Sequence, residues 1–550
     1  MSPPYNQRPL RNALPAWLRL SLALIIVAAS LARLLHLERM VVWHDEVYTA
    51  VRVLGFDQGE MGPTVFSGRL LSPADLLGFQ KAAPEHTWID TLHALAQHPE
   101  HSPLYYMAGF LATQWVSPPI LALRGTSALF SLLLAPAVFW LMRELFGRGK
   151  APWVAAALVA VSPFHLLYAQ EARQYALWTV LIAAAGAALL KALRTGRRWD
   201  WGLYAGMMTI GMYSHMLFLL MVPLHGFYAL LDCRESRPGR GSVVRPWLTA
   251  TGVAVLLFLP WLSLAAVRSE LVQRYTAWMA RSVETLQLLE AWGQHLTHLF
   301  VDPATALSRW WLLVLLPLFW ALIRFCTRAP RPARWFPCLL IAIAVVTVLG
   351  PDLLTGGSRS LHARYTLPAL LGVELAVAWV LAAAWERPSA RRQTGAILVL
   401  ALLLVLGGWS DMRILHADTS WTKNFSAENA AIARLINAGD RPLVVASDQG
   451  VSAGELVSLA YGLRAGVALW GEPYEGNDDL PSGFGDLFVL TPSSGLRERI
   501  ERTHRLAPLL GAWQWYRAEP KASHEPQVAP QQPFSAQSDT MRAPRPGHSP

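Results

Sequence analysis

The sequence predicts an all-α polytopic membrane protein of about eleven transmembrane helices, followed by a small α/β domain on the extracytoplasmic side. Three observations lead there. The 550 residues are 53% hydrophobic and only 15% charged, with 24 Trp, against roughly 25% charged in an ordinary soluble domain. Apolar stretches, each roughly long enough to cross a ~30 Å hydrocarbon core as a helix, recur as far as residue 412. Past that point the composition changes to mixed polar and β-branched segments.

The expected spans lie at about 17–37, 121–142, 151–168, 174–193, 199–215, 216–232, 246–267, 308–325, 335–354, 365–385 and 394–412. The apolar segment 103–116 is too short to cross and reads as a juxtamembrane helix. The net charge of +10 is carried by loops: Arg143, Arg148 and Lys150; Lys191, Arg194, Arg197 and Arg198; Arg234, Arg237, Arg240 and Arg245; Arg324, Arg328, Arg331 and Arg334; Arg387, Arg391 and Arg392. With eleven spans all five clusters fall on the cytoplasmic side, as the positive-inside rule requires, and a nucleic-acid partner is excluded. Cys233, Cys326 and Cys338 lie in or beside these loops, where a reducing compartment suits them. The first apolar run lacks a small-residue cleavage site, so it reads as a retained helix rather than a signal peptide.

Three regions follow. Residues 1–412 form the transmembrane domain, with a first external loop 38–120 that carries juxtamembrane helices. Residues 413–520 form the extracytoplasmic α/β domain: helical spacing over 424–437, then strands at 442–447 (PLVVAS) and 486–490 (DLFVL). Residues 521–550, rich in Pro, Gln, Ser and Ala, are expected to be a disordered tail.

Ionisable groups close to a bilayer are costly unless solvated, paired or functional. Five places stand out, all on the external side: Asp45-Glu46 in WHDE; Glu100-His101 in EHSPLYY, where Tyr105 follows; Glu171 and Arg173 in SPFHLLYAQEARQYAL; His215 in YSHM; and His362 and Arg364 in SRSLHARYTLP. Of two adjacent carboxylates, one suits a general base and the other orients a substrate or metal, although a solvated acidic pair has the same appearance. Glu100-His101 stands at the start of a Pro-initiated helix, whose first amides favour an anion or serve as a plain cap. Arg173 and Arg364 are exceptions to the charge rule, placed to hold an anionic head group with paired hydrogen bonds or to pair within the protein. His215 reads as a metal ligand or as a hydrogen-bonding group at a helix break. His86, His93 and His98 lack ligand spacing and read as loop residues.

Taken in order, these segments resemble the family 39 type of membrane glycosyltransferases, which includes protein O-mannosyltransferases and lipid A aminoarabinose transferases. The acidic pair, HSPLYY, SPFHLLYAQEARQYAL, YSHM and ARYTLPAL carry the resemblance, which covers roughly residues 20–385. It implies a GT-C type fold and an enzyme that moves a hexosyl or pentosyl group from a polyprenyl-phosphate donor to a lipid, glycan or protein acceptor, with inversion. By that resemblance Asp45 is the base and Glu46 its support. His101, Arg173 and Arg364 hold the donor phosphate, and Glu100 and His215 meet the acceptor or a divalent metal, with Glu171, Tyr105 and His362 in support. Two departures stand out: Ser102 replaces the first proline of the family's double proline, and the 51–99 loop is extended. A transporter or flippase of a lipid-linked sugar is the alternative. The expected location is the cell inner membrane, with the site and the C-terminal domain outside.

Overall fold

The computed structural model describes residues 14–56, 58–236, 243–302, 311–387, 389–474, 479–510 and 512–521. The expected tail lies outside these residues apart from Lys521, as do 303–310 at the start of the expected 308–325 span. Among the described residues, six helical segments are long and apolar enough to cross a membrane: Pro119–Phe146, Tyr175–Thr195, Val244–Val267, Arg331–Thr355, Leu367–Trp385 and Ala390–Ser426, whose α-helical part is Ala390–His416. The remaining expected spans are also helical but shorter, as in Ala16–Ala32, Arg198–Ser214 and Trp311–Arg328. The 103–116 segment is the ten-residue helix Leu104–Thr113. The chain is a multi-pass membrane protein.

One span departs from the sequence expectation. Residues 151–168 are two helices, Ala151–Ala160 and Pro163–Ala169, bent by 56°. Pro163 has no N–H, so the carbonyl of Val159 loses its helical donor. The buried Arg33 supplies a replacement: its Nη2 donates to Val159 O at 2.6 Å and Ala160 O at 3.1 Å, and its Nη1 to Ser131 O at 3.1 Å. A break in a buried apolar helix survives where a side chain re-satisfies the freed carbonyls. This bend aims the Gln170–Gln174 turn toward the first loop.

The first loop folds into helices of its own, of which His44–Val53 is the most buried. After the last membrane helix the chain builds most of a six-stranded mixed sheet. Its strands are β1 (Leu70–Leu71), β2 (Leu443–Ala446), β3 (Ala468–Gly471), β4 (Leu487–Leu490), β5 (His504–Leu509) and β6 (Ala512–Pro520), in the order β1-β3-β2-β4-β6-β5. β2 is parallel to both β3 and β4, which explains its unbroken apolar run, since a central parallel strand is covered on both faces. One face of the sheet, with Val445, Trp470 and Val489, packs on Leu496 and Ile500 of the helix Ser494–Glu501. On the other, Val444, Leu469 and Phe488 join the large core shared with the first loop and the membrane helices.

β1 belongs to the first loop, yet pairs antiparallel with β3 through Leu70↔Trp470 and Leu71↔Leu469. At Gly471 any Cβ would run into the Val65 carbonyl and Phe66, so glycine is required where the loop crosses the sheet. The first loop and the C-terminal segment are one structural layer.

Candidate active site

Asp45 and Glu46 occupy the first turn of the helix His44–Val53, where the free amides favour carboxylates. Their environments differ sharply. Glu46 is fully buried: Arg124 grips it with Nε on Oε1 at 2.7 Å and Nη2 on Oε2 at 2.6 Å. The Ala172 N–H donates to Oε1 at 2.8 Å, Lys423 Nζ to Oε2 at 3.2 Å and the Trp43 N–H to Oε2 at 3.3 Å. Burial alone would raise the Glu46 carboxyl, but Arg124 and Lys423 outweigh it and hold the carboxylate form. Its acceptor positions are taken, so Glu46 is a clamp that joins the first loop, the 170–174 turn and the post-membrane segment.

Asp45 keeps 19% of its side chain exposed. Its Oδ2 faces Arg173 Nη2 at 3.7 Å and Arg364 Nη1 at 3.5 Å, distances that leave room for a ligand group to come between. Burial would raise this carboxyl too, yet Arg173 and Arg364 hold it well below the usual carboxylate range. Arg173 is braced by Thr49 Oγ1 at 3.1 Å and Tyr175 Oη at 3.3 Å. Arg364 lies 5.5 Å from the Trp43 ring and 5.2 Å from that of Tyr365. Aromatic faces strip water from a guanidinium without neutralising it.

The other expected site residues take varied places. Tyr105 is buried, donating to Leu123 O at 2.9 Å, and Ser127 Oγ lies 3.0 Å from both the Tyr105 hydroxyl and Arg173 O. Tyr105 therefore positions the arginine from behind. Glu100 Oε1 is 3.3 Å from His98 Nδ1 and 3.7 Å from His101 Nε2, while its Oε2 is buried with no hydrogen-bond partner among the described residues. Burial holds the His101 imidazole well below its ordinary value, with Arg52 and Arg173 adding to the effect. His215 stacks on Trp178 at 4.2 Å, and its Nδ1 accepts the Leu217 N–H at 3.1 Å. His362 stands edge-on to Trp278 at 4.9 Å. Glu171 does not pair with Arg173; it is fully buried, 4.0 Å from Lys423 Nζ.

Sequence reasoning missed Arg124, Lys423 and Thr49. The first carried a signal, being an arginine inside an expected apolar span, where such a charge implies a partner. Lys423 and Thr49 carried none, because their neighbours are distant in sequence or chemically bland.

Residues 100–264 match the family model described as dolichyl-phosphate-mannose-protein mannosyltransferase. No curated protein sequence matches the chain. Among solved structures, ArnT from Cupriavidus metallidurans bound to undecaprenyl phosphate aligns with a TM-score of 0.50 at 12% identity, covering 93% of this chain and 99% of that one. The apo oligosaccharyltransferase of Archaeoglobus fulgidus aligns at 0.48 and 12% identity, over 84% of this chain. The chain spans 65% of that protein's length. The same oligosaccharyltransferase in complex with Zn and sulfate aligns at 0.44 and 12% identity, over 82% of this chain and 62% of that one. The chain shares the fold of that ArnT structure. The segment similar to that family model, residues 100–264, holds HSPLYY, SPFHLLYAQEARQYAL and YSHM.

Proposed function

We propose that the protein transfers a sugar from a polyprenyl-phosphate donor to a hydroxyl or amine of a lipid, glycan or protein acceptor, inverting the anomeric centre. One observation carries this reading: a partly exposed carboxylate, Asp45, opposite two guanidiniums, Arg173 and Arg364, at the end of the membrane helices. A polyprenyl tail stays in lipid while its phosphate reaches the boundary. There the two arginines neutralise the charge that builds on the leaving phosphate.

The same phosphate tunes the base. Without donor, Asp45 shares its negative charge with both arginines and is a poor proton acceptor. A phosphate that draws the guanidiniums toward itself releases the carboxylate, which then faces the acceptor. The acceptor O–H or N–H gives its proton to Asp45 as its heavy atom attacks the anomeric carbon. The bond from that carbon to the phosphate oxygen breaks, and polyprenyl phosphate departs held by Arg173 and Arg364. His101 and Glu100 lie beyond Arg173 as further contacts for donor and acceptor, and His362 and Glu171 border the arginines.

The expectation of a divalent metal finds no donor set here. Among the described residues no group of three or more His, Cys, Asp or Glu is placed to hold an ion. Glu46 has spent its acceptors on Arg124 and Lys423, and a cation beside Asp45 would meet two guanidiniums. No step above is routed through a metal. No observation favours a transporter or flippase.

The three proposed regions keep the limits 1–412, 413–520 and 521–550. The location that suits them is the cell inner membrane, with site and sheet on the extracytoplasmic side, because basic residues such as Arg143, Arg194 and Arg328 stand at the opposite helix ends; Arg237 and Arg240 of the expected clusters lie outside the described residues. The test uses purified full-length protein, a panel of undecaprenyl-phosphate sugars radiolabelled in the sugar, and membranes from cells lacking the protein as acceptor. Asp45→Asn is expected to reduce transfer by about 10²- to 10⁴-fold with undecaprenyl phosphate binding retained. Wild-type transfer by this variant would remove Asp45 from the mechanism.

A further inference from the structure

A second polar chain leaves Asp45 on the side away from the arginines and runs into the C-terminal α/β layer. His44, buried at the amino end of its helix, places Nδ1 2.7 Å from Oε1 of Glu455, a residue of the helix Ser452–Ala460 between β2 and β3. Glu455 is itself buried. Its Oε1 also accepts from Ser426 Oγ at 2.6 Å and its Oε2 from Asn429 Nδ2 at 3.0 Å, while Ser426 Oγ accepts the His44 N–H at 3.1 Å. With Glu455 receiving donors on both oxygens, the His44 proton belongs on Nδ1 and the lone pair on Nε2. That Nε2 lies 3.7 Å from Asp45 Oδ1, the oxygen not shared with the arginines.

The ring has little freedom. It meets Trp43 edge-on at 4.8 Å and Phe425 at 5.8 Å. Gly454 lets the Ser452–Ala460 helix approach: a Cβ there would come within 3.0 Å of His44 Cβ and 2.9 Å of the Tyr48 ring. Two segments from opposite ends of the chain are thus pressed together so that a carboxylate, an imidazole and a second carboxylate stand in line.

We infer that His44, oriented by Glu455, receives the proton that Asp45 takes from the acceptor. The inference rests on the reading of Asp45 as the base. In the forward step the acceptor oxygen bonds to the anomeric carbon as the carbon–phosphate oxygen bond breaks. The acceptor proton passes to Asp45 and on to His44 Nε2. The resulting imidazolium stands between two carboxylates, Asp45 and Glu455, and returns its proton to solvent by way of the partly exposed Asp45 as the products leave. The logic is that of a base backed by an oriented partner. His44 and Glu455 act through Asp45 and are positioning residues, which makes the C-terminal domain part of the reaction centre.

The test compares His44→Asn, His44→Ala, Glu455→Gln, the double variant His44→Asn/Glu455→Gln and Asp45→Asn in the full-length protein, with the labelled donors and acceptor membranes above. Asn at 44 keeps a donor for Glu455 but offers no proton acceptor, so it restores a purely structural role and not a relay. The expected result is a fall of about 10²-fold in the rate at saturating donor for both His44 variants. The donor KM and undecaprenyl phosphate binding should stay within about twofold, and the double variant should be no slower than His44→Asn. A wild-type rate for His44→Asn beside an inactive Asp45→Asn overturns the relay and leaves the base assignment standing. A wild-type rate for Asp45→Asn overturns both. Should His44→Ala fail to fold, His44→Asn decides the matter, and a loss of donor binding in parallel with rate in that variant also overturns the relay.

Discussion

Glu171 offers a test in which sign and size both follow from the structure. Its side chain is fully buried, neither oxygen has a hydrogen-bond partner among the described residues, and its nearest cation, Lys423 Nζ, is 4.0 Å away and already engaged with Glu46. Burial pushes its carboxyl from the ordinary 4.5 up to about 7, against the pull of Lys423. A group whose folded pKa is raised contributes stability that is present below its unfolded pKa and is lost as pH rises through the folded one. The window is therefore pH 4.5 to about 7. At ~1.4 kcal/mol per pH unit, the rise from 4.5 to about 7 makes the wild type roughly 3 kcal/mol less stable at pH 8 than at pH 4.5. Glu171→Gln keeps shape and polarity without the titration. Thermal unfolding of both proteins in the same detergent should coincide near pH 4.5. The variant should then gain on the wild type as pH rises, reaching a Tm difference on the order of a few degrees by pH 8. A difference that is constant with pH, or that favours the wild type at high pH, would refute the assignment of a buried, unshared proton to this residue.

Further outcomes follow from the same geometry. Arg364→Ala removes one guanidinium from the donor phosphate, a charge-assisted interaction of about 1.5–3 kcal/mol. Binding of undecaprenyl phosphate should weaken by about 10- to 100-fold, whereas Arg197→Ala, at the opposite helix ends, should bind as the wild type does. Arg124→Met takes two donors from the buried Glu46, leaving Lys423 and two backbone amides, and strands three carbonyls, those of Leu37, Met40 and Val41. A loss of about 3–5 kcal/mol is expected in a detergent unfolding titration, and recovery of wild-type stability would mean that the clamp is dispensable. Gly454→Leu should lower transfer more than it lowers undecaprenyl phosphate binding, since the added side chain meets His44 and Tyr48 rather than the arginines.

What could be read beforehand was the part that shows in short windows. The alternation of apolar runs with basic loops placed the helices, and the unbroken apolar stretches 442–447 and 486–490 marked the two strands that lie next to each other at the sheet's centre. β3, β5 and β6 escaped notice for a physical reason. ALWG, as short as β2 and β4, holds no β-branched residue, and HRLAPL and AWQWYRAEP mix polar groups and proline into an antiparallel pair at the sheet's edge, so their strand character is conferred by partners. The site divided in the same way. Asp45, Arg173 and Arg364 are conspicuous because each is a charge at an apolar boundary. Arg124 and Lys423 are conspicuous only once Glu46 is seen between them, and Glu455 reads as an ordinary helical acid until His44 is found beside it. The span 151–168 was expected to be continuous, although Pro163 stands inside it. The guanidinium that makes it tolerable comes from the end of the first membrane helix and could not be inferred.

The pairing of Leu70 and Leu71 with strand β3 has a bearing on how the molecule is made. Ribosomes deliver the amino end first, so the early loop must wait, its strand unpaired, until nearly the whole polypeptide has been threaded. Contacts so widely separated along a chain form slowly. Lys423 and Glu455 arrive in that same final portion. A prematurely terminated copy would be anchored in the bilayer yet lack the pieces that bring its acid and bases into line, and so could not squander the cell's lipid carriers.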